Sequence, residues 1–333
     1  MKLLYVSCHA ILEYDELKMF SKFDDMDIFS TGAYIHPTTP PNIRPPLNFR
    51  VNPEHYRLYD SGKGKWNSPD LINKFDVIYF MYRPHDLIDN WNILKHKIVI
   101  IRMIGQSSPE IELKLKELKI AHSNLKIIRY SPKERNHIHY AGEDELIRFG
   151  KNSNEYTNWN GNINYMVSVV QDMKGRGDAC GWDIFSRISH EIPSKLFGNS
   201  NEKAGTLWNG RSLSPVELFE VYKNHRVYFY TGTKPASYCL NFIEALMTGI
   251  PVVSIGRGLG NGNEDLYEIE DFIVNGENGF ISDNVNELIE YSKMLLNDME
   301  LSKKISMNGR RSAISLFNEE DIQCKWLDFF KSL

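Results

Sequence analysis

Cysteine is scarce in this chain of 333 residues, and the few cysteines lie far apart. The four stand at positions 8, 180, 239 and 324, and no two of them form a Cys-x-x-Cys pair. A structural zinc site built on paired cysteines is therefore not expected, and neither is a disulfide framework. This scattering favours a reducing compartment, and we expect a cytoplasmic protein.

Long apolar runs are missing as well. No stretch approaches the ~18 uncharged apolar residues that a membrane-spanning helix needs. The apolar run that begins at Leu3 is too short for a signal peptide, so we expect no membrane span and no secretion. A basic stretch over 114–135 is interleaved with glutamates. That mixture favours a solvated helix face over a helix that lies on a membrane, although peripheral membrane contact stays an open alternative.

An excess of positive charge is absent too, because 39 Lys and Arg face 43 Asp and Glu, for a formal net charge of −4. Proteins built mainly to hold nucleic acid cluster positive charge, so this balance argues against that class. The Gly-x-Ser-x-Gly elbow of many serine hydrolases does not occur either. The length exceeds what one hydrophobic core usually serves, and two domains are the expectation.

Apolar runs alternate with helical patterns along the chain, which is typical of parallel α/β sheets. The run at 36–47 is rich in proline and predicts an ordered loop or a flexible flap. A polar, turn-rich stretch over 150–164 predicts the interdomain linker. We predict strands over 3–7, 77–81, 98–103, 125–130, 166–170 and 227–230, and helices over 110–118, 182–188, 215–222 and 321–331.

Residues 235–256 are the most informative stretch, because they join a turn, a short helix with one carboxylate and a buried strand. Pro235 and Ser237 suit the first turn and cap of the helix, and Gly249 suits its end. The apolar run 252–255 reads as a parallel strand covered on both faces. A helix that starts just beyond a strand end points free N–H groups into the crevice, which suits a phosphate. Glu244 could reach past that phosphate to a ribose hydroxyl.

This stretch resembles the donor-binding helix and strand of the retaining glycosyltransferases of the GT-B fold, specifically family 4 ("glycosyl transferases group 1"). Residues 274–281, Val-Asn-Gly-Glu-Asn-Gly-Phe-Ile, are similar to that family's Val-Asn-Gly-x-Asn-Gly-Phe-Leu turn. The two segments have the order and separation that the family shows. The resemblance covers roughly 166–333 and is only topological before that.

The resemblance implies an α/β protein with two Rossmann-like, doubly wound domains that face each other across a cleft. Residues 1–158 would form the acceptor-binding domain, 159–318 would bind the nucleotide-sugar, and 319–333 would be a helix that returns to the first domain. The implied reaction moves a sugar from a donor such as a UDP- or GDP-sugar, with retention of configuration and with neither metal nor another cofactor. The acceptor is left open as a glycan, a lipid, a small molecule or a modified DNA base.

A glycine-rich segment follows the strand predicted over 166–170. Gly175 and Gly177 would permit close backbone approach, while Lys174 and Arg176 would neutralise a diphosphate. We therefore assign both cations to catalysis and both glycines to donor binding; a plain solvated turn is the alternative. Cys180 stands where the family carries a lysine, so Lys174 or Arg176 must supply that charge.

Only one of the two glutamates of the family's Glu-x7-Glu motif is present. Its second Glu corresponds to Glu244, and its first falls on Ala236. In relatives the first Glu approaches the hydroxyls of the transferred sugar, so the identity of the donor depends on this difference. An exposed helix glutamate without a role is the alternative for Glu244. The other expected donor contacts, through backbone N–H groups or side chains, are Tyr238, Cys239, Leu240 and Asn241.

Candidate acceptor residues follow the first-domain strands. His9 follows the first strand, where relatives usually carry a glycine-rich acceptor loop. Arg102, Gly105 and Gln106 come at or after the strand 98–103, where many relatives have a His-Gly near the reacting carbon. We assign His9, Arg102 and Gly105 to the acceptor and Gln106 to catalysis. Arg102 lies inside an apolar run, and a structural ion pair is an equally good reading, because an unpaired buried cation is costly.

The sequence raises four other interpretations. Asp25-Met-Asp27 could be mistaken for an Asp-x-Asp metal motif, but it reads better as a solvated turn. The segment 256–261 begins like a nicotinamide-binding fingerprint and has Asn261 in place of the third glycine, which argues against an oxidoreductase. A catalytically silent sugar-nucleotide or glycan-binding protein, and a phage-type transferase acting on DNA bases, remain alternatives on the same fold.

Overall fold

A computed structural model describes residues 1–34, 47, 51–156, 158–205, 211–259 and 265–333. It divides into two compact units, the first made of Met1–Gly150 with Glu319–Leu333 and the second of Lys151–Asn318. Most of the proline-rich stretch 36–47 lies outside the described residues, as do positions 260 and 261 of the nicotinamide-like segment. In the part that is described, no helix is long and apolar enough to cross a membrane.

The first unit alternates strands with helices and ends with the chain's last helix. Its strands are β1 (Lys2–Ser7), β2 (Asp27–Ser30), β3 (Val77–Met81), β4 (Ile98–Arg102), β5 (Leu125–Arg129) and β6 (Glu145–Leu146). Its helices are α1 (Ala10–Phe20), α2 (Pro53–Ser61), α3 (Pro69–Ile72), α4 (Pro84–Asp89), α5 (Trp91–Leu94), α6 (Pro109–Ala121) and, at the end of the chain, α14 (Glu319–Lys331). A short 3-10 helix follows β5 at Pro132–Asn136.

These six strands form one parallel sheet in the order β2-β1-β3-β4-β5-β6. Every residue of β3 is buried, as expected for a continuous apolar run in the middle of a parallel sheet. Helix α6 begins where Ser108 accepts a hydrogen bond from the N–H of Ile111 and Pro109 takes the first helical position. Asp25 lies in a turn, and Asp27 begins the edge strand β2, as predicted for a solvated turn that precedes a strand.

The second unit repeats the plan with a five-stranded sheet in the order β11-β10-β9-β7-β8, again parallel. Its strands are β7 (Ile163–Val169), β8 (Ser194–Phe197), β9 (His225–Tyr230), β10 (Val252–Ile255) and β11 (Phe280–Ser282). Its helices are α7 (Met173–Arg176), α8 (Trp182–Ser189), α9 (Pro215–Asn224), α10 (Leu240–Thr248), α11 (Ile269–Phe272), α12 (Val285–Asn297) and α13 (Met299–Phe317). Short 3-10 helices lie at Gly177–Cys180, Glu202–Ala204 and Arg257–Leu259. Two parallel α/β sheets of the Rossmann kind were the predicted fold class, and that prediction is confirmed.

Arg102, the last residue of β4, is a buried ion-pair partner. Its side chain has 0% exposure, and its Nε donates to Oε1 of Glu16 at 3.1 Å. The Nη atoms donate to backbone carbonyls at Arg129, Ile147 and Arg148. The assignment of Arg102 to the acceptor is therefore wrong, because four of its five N–H donors bond within the first unit and none of its surface is accessible. Of the two readings of the sequence, the structural ion pair is the one observed.

Aromatic rings cover the same guanidinium. The Cζ atom of Arg102 lies 4.9 Å from the ring centroid of Phe149 and 5.3 Å from that of Trp326 in α14. Tyr5 and Tyr79 donate their hydroxyls to Oε2 of Glu16, at 2.8 and 2.6 Å. Burial raises the pKa of Glu16, and the charge of Arg102 acts against that increase. Arg102 therefore joins the sheet, α1 and α14 in one buried polar network.

Replacing Arg102 with Met should destabilise the first unit by about 3–5 kcal/mol, because it leaves Glu16 buried without its cation. The measurement is the free energy of unfolding from denaturant titration. A matched control is Lys114→Met, since Lys114 and Glu110 pair at 3.0 Å on the exposed face of α6. The control should show no measurable change. Equal effects of the two substitutions would contradict a special role for the buried pair.

Candidate functional site

The glycine-rich segment after β7 forms a single helical turn rather than an open loop. It begins at Asp172, whose backbone is left-handed with φ 44°, and the Met173 N–H donates to Oδ1 of Asn201 at 2.9 Å. A Cβ on Gly175 would lie 2.4 Å from Oδ1 of Asp172. Gly177 has φ 53° and ψ −124°, a combination that favours glycine strongly. Gly177 is therefore required by its backbone conformation, whereas a side chain on Gly175 would displace the Asp172 carboxylate.

The two cations of this turn are exposed. The Nζ of Lys174 lies 5.6 Å from the ring centroid of Trp182, at the start of α8. Burial raises the pKa of the thiols of Cys180 and Cys239, and the charge of Arg176 lowers both. The N–H of Lys234 donates to the carbonyl of Ala179 at 2.9 Å, so the turn that carries Arg176 lies beside the segment that leads into α10, whose N-cap is Cys239.

Helix α10 starts later than the sequence predicts. Pro235 and Ser237 were expected in its first turn and cap, but the N-cap is Cys239 and the helix runs from Leu240 to Thr248. The N–H of Ala236 bonds to the carbonyl of Thr233 at 2.9 Å, so this part of the chain is a turn. The first N–H groups of α10, at Leu240 and Asn241, have no intrahelical partner by the geometry of any helix.

Asn241 ties the start of α10 to the end of β7. Its Nδ2 donates to the carbonyl of Val169 at 2.6 Å, and its Oδ1 is buried without a hydrogen-bond partner among the described residues. Cys239 is fixed in a similar way, because its N–H donates to the hydroxyl of Tyr230 at 3.0 Å. The helix start is therefore held at the carboxyl ends of β7 and β9, beside the turn that carries Arg176.

Tyr238 is a core residue. Its side chain is 2% exposed and packs against the rings of Phe272 and Phe317, with centroids 5.4 Å away in both cases. This corrects the expected donor contact of its side chain, because the ring is enclosed by other aromatic residues. Cys180, at the position where a lysine was expected from the family pattern, is fully buried with its Sγ 4.0 Å from Oγ1 of Thr233.

Glu244 is buried rather than exposed, with 4% accessibility, so the reading as an exposed helix glutamate is wrong. Its Oε1 accepts from Nζ of Lys151 at 2.7 Å and from the hydroxyl of Tyr156 at 3.3 Å. Contact of Glu244 with a ribose stays a prediction. Neither Lys151 nor Tyr156 carries a motif, so sequence reasoning missed both; a lysine in the polar linker was the only signal.

In the first unit, three of the candidate acceptor and catalytic residues follow β1 and β4. His9 caps α1, where its Nδ1 accepts from the N–H of Leu12 at 3.3 Å. Gly105 has φ 71°, and a Cβ there would lie 2.3 Å from the hydroxyl of Tyr130. Gln106 is exposed, and its backbone carbonyl accepts from the hydroxyl of Tyr82. The acceptor roles of His9 and Gly105 and the catalytic role of Gln106 stay predictions.

Tyr82 was missed by the sequence reading. It directly follows β3 and has a left-handed backbone, φ 55°, which is rare for a bulky residue. Burial is the largest cause that raises its pKa, to about 12. Non-glycine residues in this conformation concentrate at functional sites, so Tyr82 joins the candidates beside Gln106. An aromatic residue immediately after a strand was the available signal.

A second buried network of carboxylates and an arginine lies at the carboxyl end of β5 in the first unit. Arg129, the last residue of β5, forms a bidentate pair with Glu112, at 2.8 and 2.7 Å. Glu134 is close to it, with Oε2 3.6 Å from Nη1 of Arg129, and its Oε1 accepts from the N–H groups of Tyr130 and Ser131. Burial is the main cause that raises the pKa of Glu134 to about 7.

Among the residues with described positions, no group of three or more His, Cys, Asp or Glu side chains is arranged to hold a metal ion. The Asp25 and Asp27 carboxylates belong to no such group.

No protein-family model matches the chain, and no curated protein matches its sequence. Solved structures do match, at low sequence identity. HepE from Anabaena, in complex with UDP and glucose, is 16% identical, covers 100% of both chains and superposes with a TM-score of 0.70. Sucrose-phosphate synthase from Thermosynechococcus elongatus is 13% identical over 100% of this chain and 99% of its own, with a TM-score of 0.69. A glycosyltransferase from Rickettsia africae is 13% identical over 99% and 98%, with a TM-score of 0.66.

At such identities the likeness defines the fold alone. Each of these structures covers nearly the whole chain with two parallel-sheet α/β domains of the GT-B type. The chain therefore has the GT-B fold, as the resemblance implied.

The raised pKa of Glu134 predicts a pH dependence of stability. The folded chain holds the proton of Glu134 up to about pH 7, whereas the unfolded chain releases it near the ordinary value of 4.5. The contribution of this group is therefore fully present below pH 4.5 and declines as the pH rises to about 7, by up to about 3 kcal/mol. Denaturant titrations from pH 5 to pH 8 should show this decline in the native chain and a smaller one in Glu134→Gln. Identical slopes would contradict the assignment.

Proposed function

We propose that this chain is a glycosyltransferase that moves a sugar from a nucleotide-sugar to an acceptor. The observation that carries the proposal is that the turn with Lys174 and Arg176 lies beside the chain that leads into α10, at the carboxyl ends of β7 and β9. A helix N-terminus with a neighbouring guanidinium is a favourable seat for a diphosphate. In open parallel sheets, ligands bind at this edge.

The chemistry of the leaving group fits these residues. Departure of a nucleoside diphosphate builds negative charge on its phosphate oxygens while positive charge develops on the sugar. Arg176, Lys174 and the N–H groups of Leu240 and Asn241 supply fixed positive charge for that oxygen cluster. We propose that these groups replace a divalent cation, so that transfer is independent of metal.

The donor is proposed from two sources. HepE, which shares the fold, was solved with UDP and glucose, and this favours UDP as the nucleotide. The resemblance of residues 235–256 and 274–281 to family 4 favours a retaining transfer. Ala236 is buried and carries no carboxylate, so sugar hydroxyls must be held by other groups than the missing Glu.

The acceptor is proposed to bind at the carboxyl edge of the first sheet, near His9, Gly105 and Gln106. Tyr82, with its hydroxyl on the Gln106 carbonyl, would fix the loop that carries Gln106. Arg102 is excluded from this set by its burial.

Replacing Arg176 with Ala should lower kcat/KM for release of nucleoside diphosphate by about 10²–10³, because one preorganised charge at the leaving group is lost. The assay measures nucleoside diphosphate released from a panel of UDP- and GDP-sugars. Arg187→Ala is the matched control, since Arg187 is an exposed arginine in the last turn of α8. It should leave the rate unchanged.

The second candidate function is a catalytically silent protein that binds nucleotide-sugars. It is favoured by Ala236 and Cys180, which replace a Glu and a Lys of the family pattern. The same panel of donors distinguishes it from an enzyme. Saturable binding of a donor by the native chain, with no release of nucleoside diphosphate from any donor, would contradict the proposal of an enzyme. Equal rates for Arg176→Ala and the native chain would instead show that the phosphate site has been misplaced.

A further inference from the structure

The interior of the second unit holds a fully enclosed ion pair between Lys151 and Glu244. The Nζ to Oε1 distance is 2.7 Å, and the two side chains are 2% and 6% exposed. The hydroxyl of Tyr156 lies 3.3 Å from the same oxygen, and its ring packs against Phe219 of α9. An ion pair this deep is costly to form, and removing one partner alone is far more costly.

Lys151 occupies a particular place in the chain. It is the first residue of the second unit, and its N–H donates to the carbonyl of Phe317 at 2.8 Å. It also pairs as an isolated bridge with Asn318, the last residue of that unit. The two ends of the unit therefore meet at Lys151, and the Lys151 side chain joins them to α10.

Glu244 stands one helical turn after Leu240, the first residue of α10. A restraint on Glu244 therefore acts on the short helix whose first N–H groups face the proposed diphosphate. Asn241 holds the same helix from the other side, through the carbonyl of Val169. The start of α10 is thus restrained by contacts to the strand ends and, through Glu244, by a contact to the ends of the unit.

We propose that Lys151 is a positioning residue of the donor site, which sets the direction of the α10 N–H groups by pairing with Glu244 in the interior. This inference rests on the proposed function, because it assigns a partner to the same phosphate seat. It gives Glu244 a role that needs no contact with the ribose. Lys151 and Glu244 then act on any ligand that carries a diphosphate, whatever its base.

The pair is tested first through thermal stability of the full chain. Lys151→Met and Glu244→Gln should each lower Tm by about 10 °C, because each leaves a polar partner buried without its counterpart. The double variant should recover most of that loss, since no unpaired charge remains. Lys303→Met is the control, because Lys303 pairs with Glu300 at the same 2.7 Å on an exposed face. Shifts no larger than that of the control would overturn the proposal.

The positioning role is tested by calorimetry with two probes, UDP and inorganic pyrophosphate. We expect each single variant to weaken the binding of both probes by the same factor, about tenfold. The double variant should recover most of the lost affinity. If Glu244 instead binds the ribose directly, Glu244→Gln weakens UDP alone and Lys151→Met leaves UDP binding unchanged or tighter. That pattern would overturn the inference and leave the proposed function standing.

Two further outcomes are informative. Binding of neither probe by the native chain overturns both the proposed function and the positioning role, while the Tm values still report on the pair. If the single variants do not fold, Lys151→Arg decides, because it keeps the charge and should retain binding of both probes. Loss of pyrophosphate binding in folded Lys151→Arg, at unchanged Tm, would contradict the proposal.

Discussion

Three buried carboxylates, each paired with a buried cation, occur across the two units, and the packing around the strand ends depends on them. Glu16 pairs with Arg102, Glu112 with Arg129 and Glu244 with Lys151. An ion in the protein interior costs several kcal/mol unless a partner and further hydrogen bonds compensate. Each pair therefore fixes the elements that carry its two residues, because any shift would expose one charge to an apolar neighbour.

In the first unit this constraint shapes the carboxyl ends of β4 and β5. Both strands end in an arginine that is turned inward, and Arg102 alone collects carbonyls at three backbone positions. The surface at this edge is consequently left to short or polar groups, such as Gly105 and Gln106. In the second unit, the parallel order of the strands gathers the turn after β7 and the start of α10 at one edge. Lys174 and Arg176 place positive charge on the exposed surface at this edge, where it is accessible to a ligand.

The sequence predicts the bounds of a strand well where an apolar run is flanked by polar or turn-forming residues. Strands 77–81 and 252–255 have the predicted bounds, and α8 begins at the predicted Trp182. Local signals failed at the start of α10, which was placed too early. Pro235 and Ser237 have the chemistry of a helix start, but the Tyr238 ring enters an aromatic cluster with Phe272 and Phe317 and holds the chain in a turn. Tertiary packing overrides a capping preference that is worth only about 1 kcal/mol.

By itself, the sequence determined that the chain has two parallel α/β sheets, that two cations follow one strand of the second sheet and that a short helix follows another. Those features depend on apolar periodicity and on short segments, which are local properties. Only the tertiary structure decided which charges neutralise each other. Glu16 and Arg102 are 86 positions apart, and Lys151 and Glu244 are 93 apart. No local pattern links residues at such separations, because their pairing follows from the packing of whole elements and from the free energy of burying a charge.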